Sequence, residues 1–194
     1  MDEPRPELWL VRHGETEWAA AGRHTGRTDV PLTDAGRAQA VAVGGRLRTE
    51  RFAQVLTSPL ARAAETARLA GFAAAEPAVD LREWDYGVYE GRTTAEIREE
   101  QPGWTIWTGG VSGGETVDHV GARVDRVIAR AGTIDGATLI FAHGHVLRIL
   151  AARWLGLPAA DGRLFLLGTA TVSVLGWERE TPVIVRWNVG LSGR

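Results

Sequence analysis

The chain has 194 residues, 44% hydrophobic and 24% charged, with a formal net charge of −2. That length fits one domain able to bury its own core, and the balanced charge gives no reason to expect nucleic acid or an anionic membrane as a partner. Cysteine is absent and all 22 basic residues are arginine, which excludes disulfides, thiolate zinc sites, a cysteine nucleophile, a Walker-A lysine and a Schiff-base lysine. No apolar run is long enough to span a bilayer. Met1 to Glu7 is charged and lacks the apolar core of a signal peptide, so a cytoplasmic location is expected.

Leu8 to Val11 is a short apolar run, read as a buried strand that ends in Arg12-His13-Gly14. Thr33 caps a helix that runs to about Arg48. Gln54 to Thr57 is a second strand. Ser58-Pro59 then reads as a helix N-cap followed by proline at the first helical position, for a helix over Leu60 to Leu69 that carries Arg62. Ala78 to Leu81 reads as a third strand, ending near Glu83. The Gly- and Trp-rich stretch from Tyr86 to Gly114 holds one or two short helices. Val117 to Ala131 has helical periodicity. Thr138 to Ala142 is a strand that ends in His143-Gly144-His145. Val146 to Leu155 is a helix stopped by Gly156 and Pro158. Thr169 to Leu175 and Val183 to Trp187 are β segments. Strands alternating with helices imply a mainly parallel sheet covered on both faces. The chain reads as a single domain over 1–194, with an insertion at about 86–114.

Reactive side chains gather at strand ends. Arg12 and His13 follow the first strand, Glu83 the third and His143 the fourth, and Arg62 lies in the first turn of the helix after the second. In open α/β sheets the ligand site lies outside the carboxyl ends of the strands, so these residues are expected to converge. Two guanidiniums suit bidentate capture of a phosphoryl group. A neutral imidazole can attack phosphorus in line, a carboxylic acid can protonate the departing oxygen, and a second histidine can donate to the equatorial oxygens.

Five segments, in order along nearly the whole chain, resemble the histidine phosphatase superfamily (phosphoglycerate mutase-like). They are Leu10-Val11-Arg12-His13-Gly14-Glu15-Thr16-Glu17-Trp18, Gly22 to Thr33, Ser58 to Ala67, Leu81 to Gly91, and Phe141-Ala142-His143-Gly144-His145. The resemblance implies a three-layer α/β/α sandwich with a mainly parallel central sheet. It implies His13 as nucleophile, Glu83 as general acid/base, and Arg12, Arg62 and His143 as the phosphate pocket. Thr16, Thr25 and Gly26 fall where family members meet the substrate. His24, Arg27, Tyr86, Gly144 and His145 are candidates for the rest of it. No metal and no cofactor are implied.

The chain departs from the mutases of that family in two places. Ala19 follows Trp18, where many members carry Asn against the phosphate. The segment between Glu83 and His143 is also shorter than in the cofactor-dependent mutases, which suggests a more open pocket and favours hydrolysis. Details of the motifs look closest to the family's broad acid phosphatases and its sedoheptulose-1,7-bisphosphatase branch. The expected activity is therefore a metal-independent phosphomonoesterase acting on small phosphorylated metabolites, sugar phosphates or bisphosphates among them. The alternatives are a phosphoglycerate mutase and a non-catalytic phospho-ligand binding module. The assembly is left open, with a homodimer as the candidate.

Plainer readings stand beside these. His143 and His145 have the spacing of a metal pair, but no further ligand pattern accompanies them. Trp104 and Trp107, in the insertion, read first as packing and second as pocket lining. Thr16 and Thr25 have the chemistry to hold loops through side-chain-to-backbone bonds. On its own, His24 reads as a surface residue.

Overall fold

The computed structural model describes residues 5–190. Met1 to Pro4, part of the charged stretch Met1 to Glu7, and residues 191–194 lie outside them. The first strand, β1 (Leu8–Arg12), leads into a one-turn helix α1 (Glu17–Ala20), then α2 (Asp34–Leu47), β2 (Gln54–Thr57) and α3 (Ala61–Leu69). A two-residue strand β3 (Glu76–Pro77) precedes α4 (Thr94–Glu100) and α5 (Val117–Ala131). Then come β4 (Thr138–Ala142), α6 (Gly144–Trp154), β5 (Val172–Glu178) and β6 (Thr181–Val189).

The six strands form one sheet in the order β3-β2-β4-β1-β5-β6. The four from β3 to β1 are parallel; β5 runs antiparallel to β1, and β6 to β5. Side chains alternate faces along each strand. Leu8 and Leu10 of β1, with Ile140 and Ala142 of β4, pack under α5 and α6. Val11, Leu139 and Phe141 pack on the other face with Val43 and Leu47 of α2 and Ala67 of α3. The result is a three-layer α/β/α sandwich. Among the described residues no helix is long and apolar enough to cross a membrane.

Register sets the site. Arg12 pairs with Ala142, and Thr57 with Phe141, so the carboxyl ends of β1, β2 and β4 are level. The ladder continues one residue further: the His13 N–H donates to the Ala142 carbonyl at 2.9 Å and the Ser58 N–H to the Phe141 carbonyl at 2.8 Å. His13, Ser58 and His143 thereby share one rim.

Several boundaries differ from the sequence expectation. The third strand is Glu76–Pro77, and Val79–Leu81 is a 3-10 turn. Proline removes a ladder donor and suits only an edge strand. The residue that caps α3 is Leu60, in extended conformation, and it gives no side-chain cap. Ser58 Oγ is engaged by His143 and accepts the Leu60 N–H at 3.3 Å. Helix α6 starts at Gly144 rather than Val146, because a carboxylate from elsewhere in the chain receives its first free N–H groups (below). It stops as expected at Gly156, whose φ of 75° is a conformation that glycine adopts without strain. Strand β5 lies further along the chain than the segment read from sequence, β6 is longer at both ends, and the two form an antiparallel hairpin.

The segment 86–114 holds a 3-10 turn, Gly87–Tyr89, and helix α4. Helix α4 begins with a reciprocal capping box between Thr93 and Glu96. Tyr89, Ile97, Trp104 and Ile106 are buried in the same cluster as Leu8 and Leu10. This segment is thus packed onto the main core.

Candidate active site

A cavity of about 390 Å³ lies outside the carboxyl end of the sheet. Eight of the sequence-predicted residues line it: Arg12, His13, His24, Thr25, Glu83, Tyr86, Gly144 and His145. Thr16, Gly26, Arg62 and His143 do not line it. They pack around it.

His13 is buried, 4% exposed. Its Nδ1 lies 2.7 Å from the Gly14 carbonyl. A carbonyl only accepts, so Nδ1 carries the ring proton and Nε2 keeps its lone pair. Burial first, then the charges of Arg12 and Arg62, hold its pKa well below the ordinary imidazole value. The ring is therefore neutral at physiological pH. Its loop is fixed from below: the Gly14 N–H donates to Thr66 Oγ1 at 3.0 Å, and that hydroxyl donates to the Arg62 carbonyl at 2.7 Å.

Arg12 donates through Nη1 to the Leu167 carbonyl at 2.5 Å. Its buried Nε has no partner among the described residues. A buried N–H without an acceptor is uncommon in folded proteins and marks a place for a ligand acceptor. Gly144 makes room for this guanidinium, since a Cβ there would stand 3.3 Å from its Cζ.

Arg62 is 1% exposed and most of its donors are engaged. Nη2 reaches the Thr25 and Gly26 carbonyls and Nη1 the Thr28 carbonyl, each at 3.0 Å. Nε donates to His143 Nδ1 at 3.1 Å. His143 must then carry its proton on Nε2, which donates to Ser58 Oγ at 2.7 Å. Burial, followed by the Arg62 charge, keeps His143 neutral as well. The His13 and His143 rings meet edge-on, with centroids 5.1 Å apart.

Glu83 is 8% exposed and receives three backbone N–H groups. Oε1 accepts from Trp84 at 2.9 Å and Val146 at 3.0 Å, and Oε2 accepts from His145 at 3.0 Å. The last two belong to the first turn of α6, where free N–H groups and the helix dipole favour a carboxylate. This contact between distant segments puts Glu83 beside His143 and His145.

The remaining wall is aromatic. Tyr86 is buried, and burial, then the nearby Glu83 charge, pushes its phenol well above its ordinary value. Its hydroxyl shares a hydrogen bond with His145 Nδ1 at 2.6 Å. His24 tilts against Tyr86 at 4.8 Å, and burial lowers its pKa to about 4. Trp107 meets His145 at 5.2 Å. Trp107 and Ile106 line the cavity, whereas Trp104 is buried beneath it, so the expectation of packing fits Trp104 better than Trp107. His24, only 8% exposed, is not a surface residue.

Other placements separate the candidates. Thr16 Oγ1 caps α1 by accepting the Ala19 N–H at 3.1 Å. Thr25 Oγ1 donates to the Arg23 carbonyl at 3.1 Å. The Gly26 N–H is held by both carboxylate oxygens of Glu90, at 2.8 and 3.1 Å. Arg27 pairs with Asp85 at 2.7 Å and lines a neighbouring cleft, not this cavity. Sequence reasoning missed Arg23, Thr94, Arg98, Thr105, Arg148 and Leu167 on the cavity wall. Arg148 had a signal, because it stands four residues after Gly144 on the same helix face. Arg98 had none, since its place depends on how α4 docks. Among the described residues no three His, Asp or Glu side chains converge as a metal-binding group.

Comparison with known proteins adds to this geometry. The sequence pattern of the histidine phosphatase superfamily (branch 1) matches residues 8–190. An acid phosphatase of Mycobacterium tuberculosis is 44% identical over 175 residues, covering 88% of this chain and 86% of the relative. A sedoheptulose 1,7-bisphosphatase of Saccharomyces cerevisiae is 38% identical over 191 residues, covering 81% and 70%. Among solved structures, an open reading frame of M. tuberculosis superposes with a TM-score of 0.91 at 40% identity, covering 96% of this chain and 98% of that one. A mycobacterial glucosyl-3-phosphoglycerate phosphatase superposes with a TM-score of 0.84 at 29% identity, covering 96% and 100%.

Proposed function

The chain belongs to branch 1 of the histidine phosphatase superfamily as a phosphoric monoester hydrolase, and on that premise we propose that it hydrolyses small phosphorylated metabolites through a phosphohistidine at His13. The observation that carries the reading is the state of His13. Its Nδ1–H is given to the Gly14 carbonyl, and its neutral ring lines the cavity beside the unpartnered Nε of Arg12.

In the first step Nε2 of His13 attacks phosphorus and the ester P–O bond breaks. The Gly14 carbonyl takes up part of the positive charge that develops on the ring. Glu83 serves as the general acid that passes a proton to the leaving oxygen. Oε2 suits this role, because it accepts one N–H where Oε1 accepts two. In the second step the same carboxylate takes a proton from water, the water oxygen bonds to phosphorus, and the P–N bond breaks. Arg12 holds the phosphoryl oxygens. Arg62 completes the set from beneath, adding positive field and fixing the loop at Thr25 and Gly26, while the neutral His143 ring holds Arg62 Nε in place. Tyr86, His24, His145, Thr25 and Gly144 shape the space for the rest of the substrate, and Thr16 supports the loop that follows His13. Cationic guanidiniums supply the charge neutralisation that a metal would otherwise provide, so the reaction is proposed to be metal-independent.

The relatives named as acid phosphatase and sedoheptulose bisphosphatase point the substrate class toward sugar phosphates and bisphosphates. Ala19 lines the cavity with a methyl group and offers no side-chain donor to a bound phosphate, which weighs against mutase chemistry. We take the chain as one domain acting on small substrates in the cytoplasm.

Phosphate release from aryl phosphate, phosphoglycerates and sugar mono- and bisphosphates, in EDTA, tests the reading. Release that His13→Ala abolishes and EDTA leaves intact is the expected result. Release that survives His13→Ala, or isomerisation exceeding hydrolysis, overturns it.

A further inference from the structure

The cavity carries more positive charge than one phosphoryl group requires. Arg12, Arg23, Arg98 and Arg148 line it, against the single carboxylate of Glu83. Arg23 is already partnered, with Glu96 at 3.7 Å and the Gly91 carbonyl at 2.6 Å. Arg98 and Arg148 have no carboxylate within ion-pair distance among the described residues. Other arginines with buried or bridging roles do: Arg123 meets Glu115, Arg126 meets Asp80 and Arg153 meets Asp125.

Both side chains are nevertheless held in place. Arg98, at the mouth, donates Nε to the Trp104 carbonyl at 2.7 Å, which leaves both terminal nitrogens free. Arg148, half-buried on α6, lies over the Trp107 ring at 4.7 Å. It donates Nε to the Gly162 carbonyl at 3.1 Å and Nη2 to the Arg163 carbonyl at 3.3 Å, leaving Nη1 free. Backbone anchoring and stacking fix the planes of two guanidiniums and leave their outer donors unspent. That is the arrangement of a preformed anion site. A cavity of this size also admits a ligand with many atoms beyond the phosphoryl group.

We propose that Arg98 and Arg148 form a distal anion subsite, so that preferred substrates carry a second anionic group, phosphate or carboxylate, beyond the phosphoryl group that reacts. The proposal rests on the phosphatase reading of the same cavity. Its two cations come from separate elements, the α4 insertion and α6, and they grip the second group while Arg12 and His13 engage the first.

The test uses matched pairs of substrates: a sugar bisphosphate against the monophosphate of that sugar, and 3-phosphoglycerate against glycerol 3-phosphate. Wild type is expected to favour the doubly anionic member in kcat/KM, mainly through KM. Arg98→Gln and Arg148→Gln are each expected to cut that preference by about tenfold, the effect of one lost charge-assisted hydrogen bond. A preference in the sugar pair alone identifies phosphate as the second group, and one in the phosphoglycerate pair alone identifies carboxylate. Arg98→Gln lies on the exposed rim and guards against misfolding of the Arg148 variant. Calorimetric binding of the same pairs to His13→Ala reads the subsite without turnover. If binding shows no preference, or one that survives both substitutions, the subsite is overturned whatever the hydrolysis shows. If the preference holds in binding but no His13-dependent hydrolysis occurs, the catalytic reading alone falls.

Discussion

His13 is buried between two guanidiniums, and this decides how it titrates. Burial is the larger cause of its depressed pKa, and the charge of Arg12 is the next. The acid limb of kcat/KM, where His13 gains a proton and loses its nucleophilic lone pair, should therefore fall well below the ordinary imidazole value of about 6.5. Arg12→Gln removes one cation. It should lower kcat/KM by about 10²–10³-fold, as loss of a single oxyanion donor does. It should also move the acid limb upward, though not to the ordinary value, because burial remains. A pH profile of the variant checks this; a fixed limb would mean that the charge is not what holds the ring neutral. The gathering of these residues was legible in part: Arg12 ends β1, His13 and His143 directly follow β1 and β4, and Arg62 lies in the first turn of α3, whereas Glu83 stands beyond β3 and the 3-10 turn Val79–Leu81. Hydrogen-bond direction was not legible. Nothing in the order of residues tells that Arg62 spends its donors on the carbonyls of Thr25, Gly26 and Thr28.

Those carbonyls belong to the loop between α1 and α2, whose shape depends on a residue far along the chain. Glu90 accepts the Gly26 N–H with both oxygens and the Thr28 N–H at 3.1 Å. The carboxylate thereby turns the opposite side of the loop, its carbonyls, toward Arg62. Glu90→Gln keeps the size of the side chain but replaces one acceptor with a donor that faces an N–H. It should destabilise the fold by about 1–2 kcal/mol and lower kcat by about tenfold through the misplaced Arg62. In a double-mutant cycle with Arg62→Gln the two effects should be non-additive, since both act on one network. Full additivity in thermal unfolding and in kcat would break the proposed link. At this scale the sequence was uneven. Thr138 to Ala142 and Val117 to Ala131 were read with their observed bounds, because unbroken apolar runs and helical periodicity depend on local pattern alone. The start of α6 was not, because Glu83 caps it from 62 residues before His145 and 63 before Val146. The third strand was misplaced because Pro77 ends it after two residues.

Across the whole molecule, the alternation of strands and helices pointed to a parallel sheet. The strand order was hidden, because the insertion of β4 between β2 and β1 depends on which faces the helices cover. That insertion brings His143 between His13 and Arg62, and it is also why so many imidazoles are buried at one end of the sheet. Their burial links activity to stability. His13, His24, His143 and His145 all have pKa values lowered first by burial. For each, the unfolded chain binds a proton more readily than the folded one. Their stability is fully present above about pH 6.5, the unfolded value, and is lost as pH falls toward the folded values. His24 gives the clearest size, with a folded value of about 4. Linkage assigns it about 2–3 kcal/mol lost between pH 7.5 and pH 4.5. His24→Phe keeps a ring against Tyr86 and Trp104 but cannot titrate. Unfolding by urea at the two pH values should show that the variant loses about 2 kcal/mol less than wild type on acidification. Equal losses would mean that His24 takes up its proton in the folded protein as freely as in the unfolded chain.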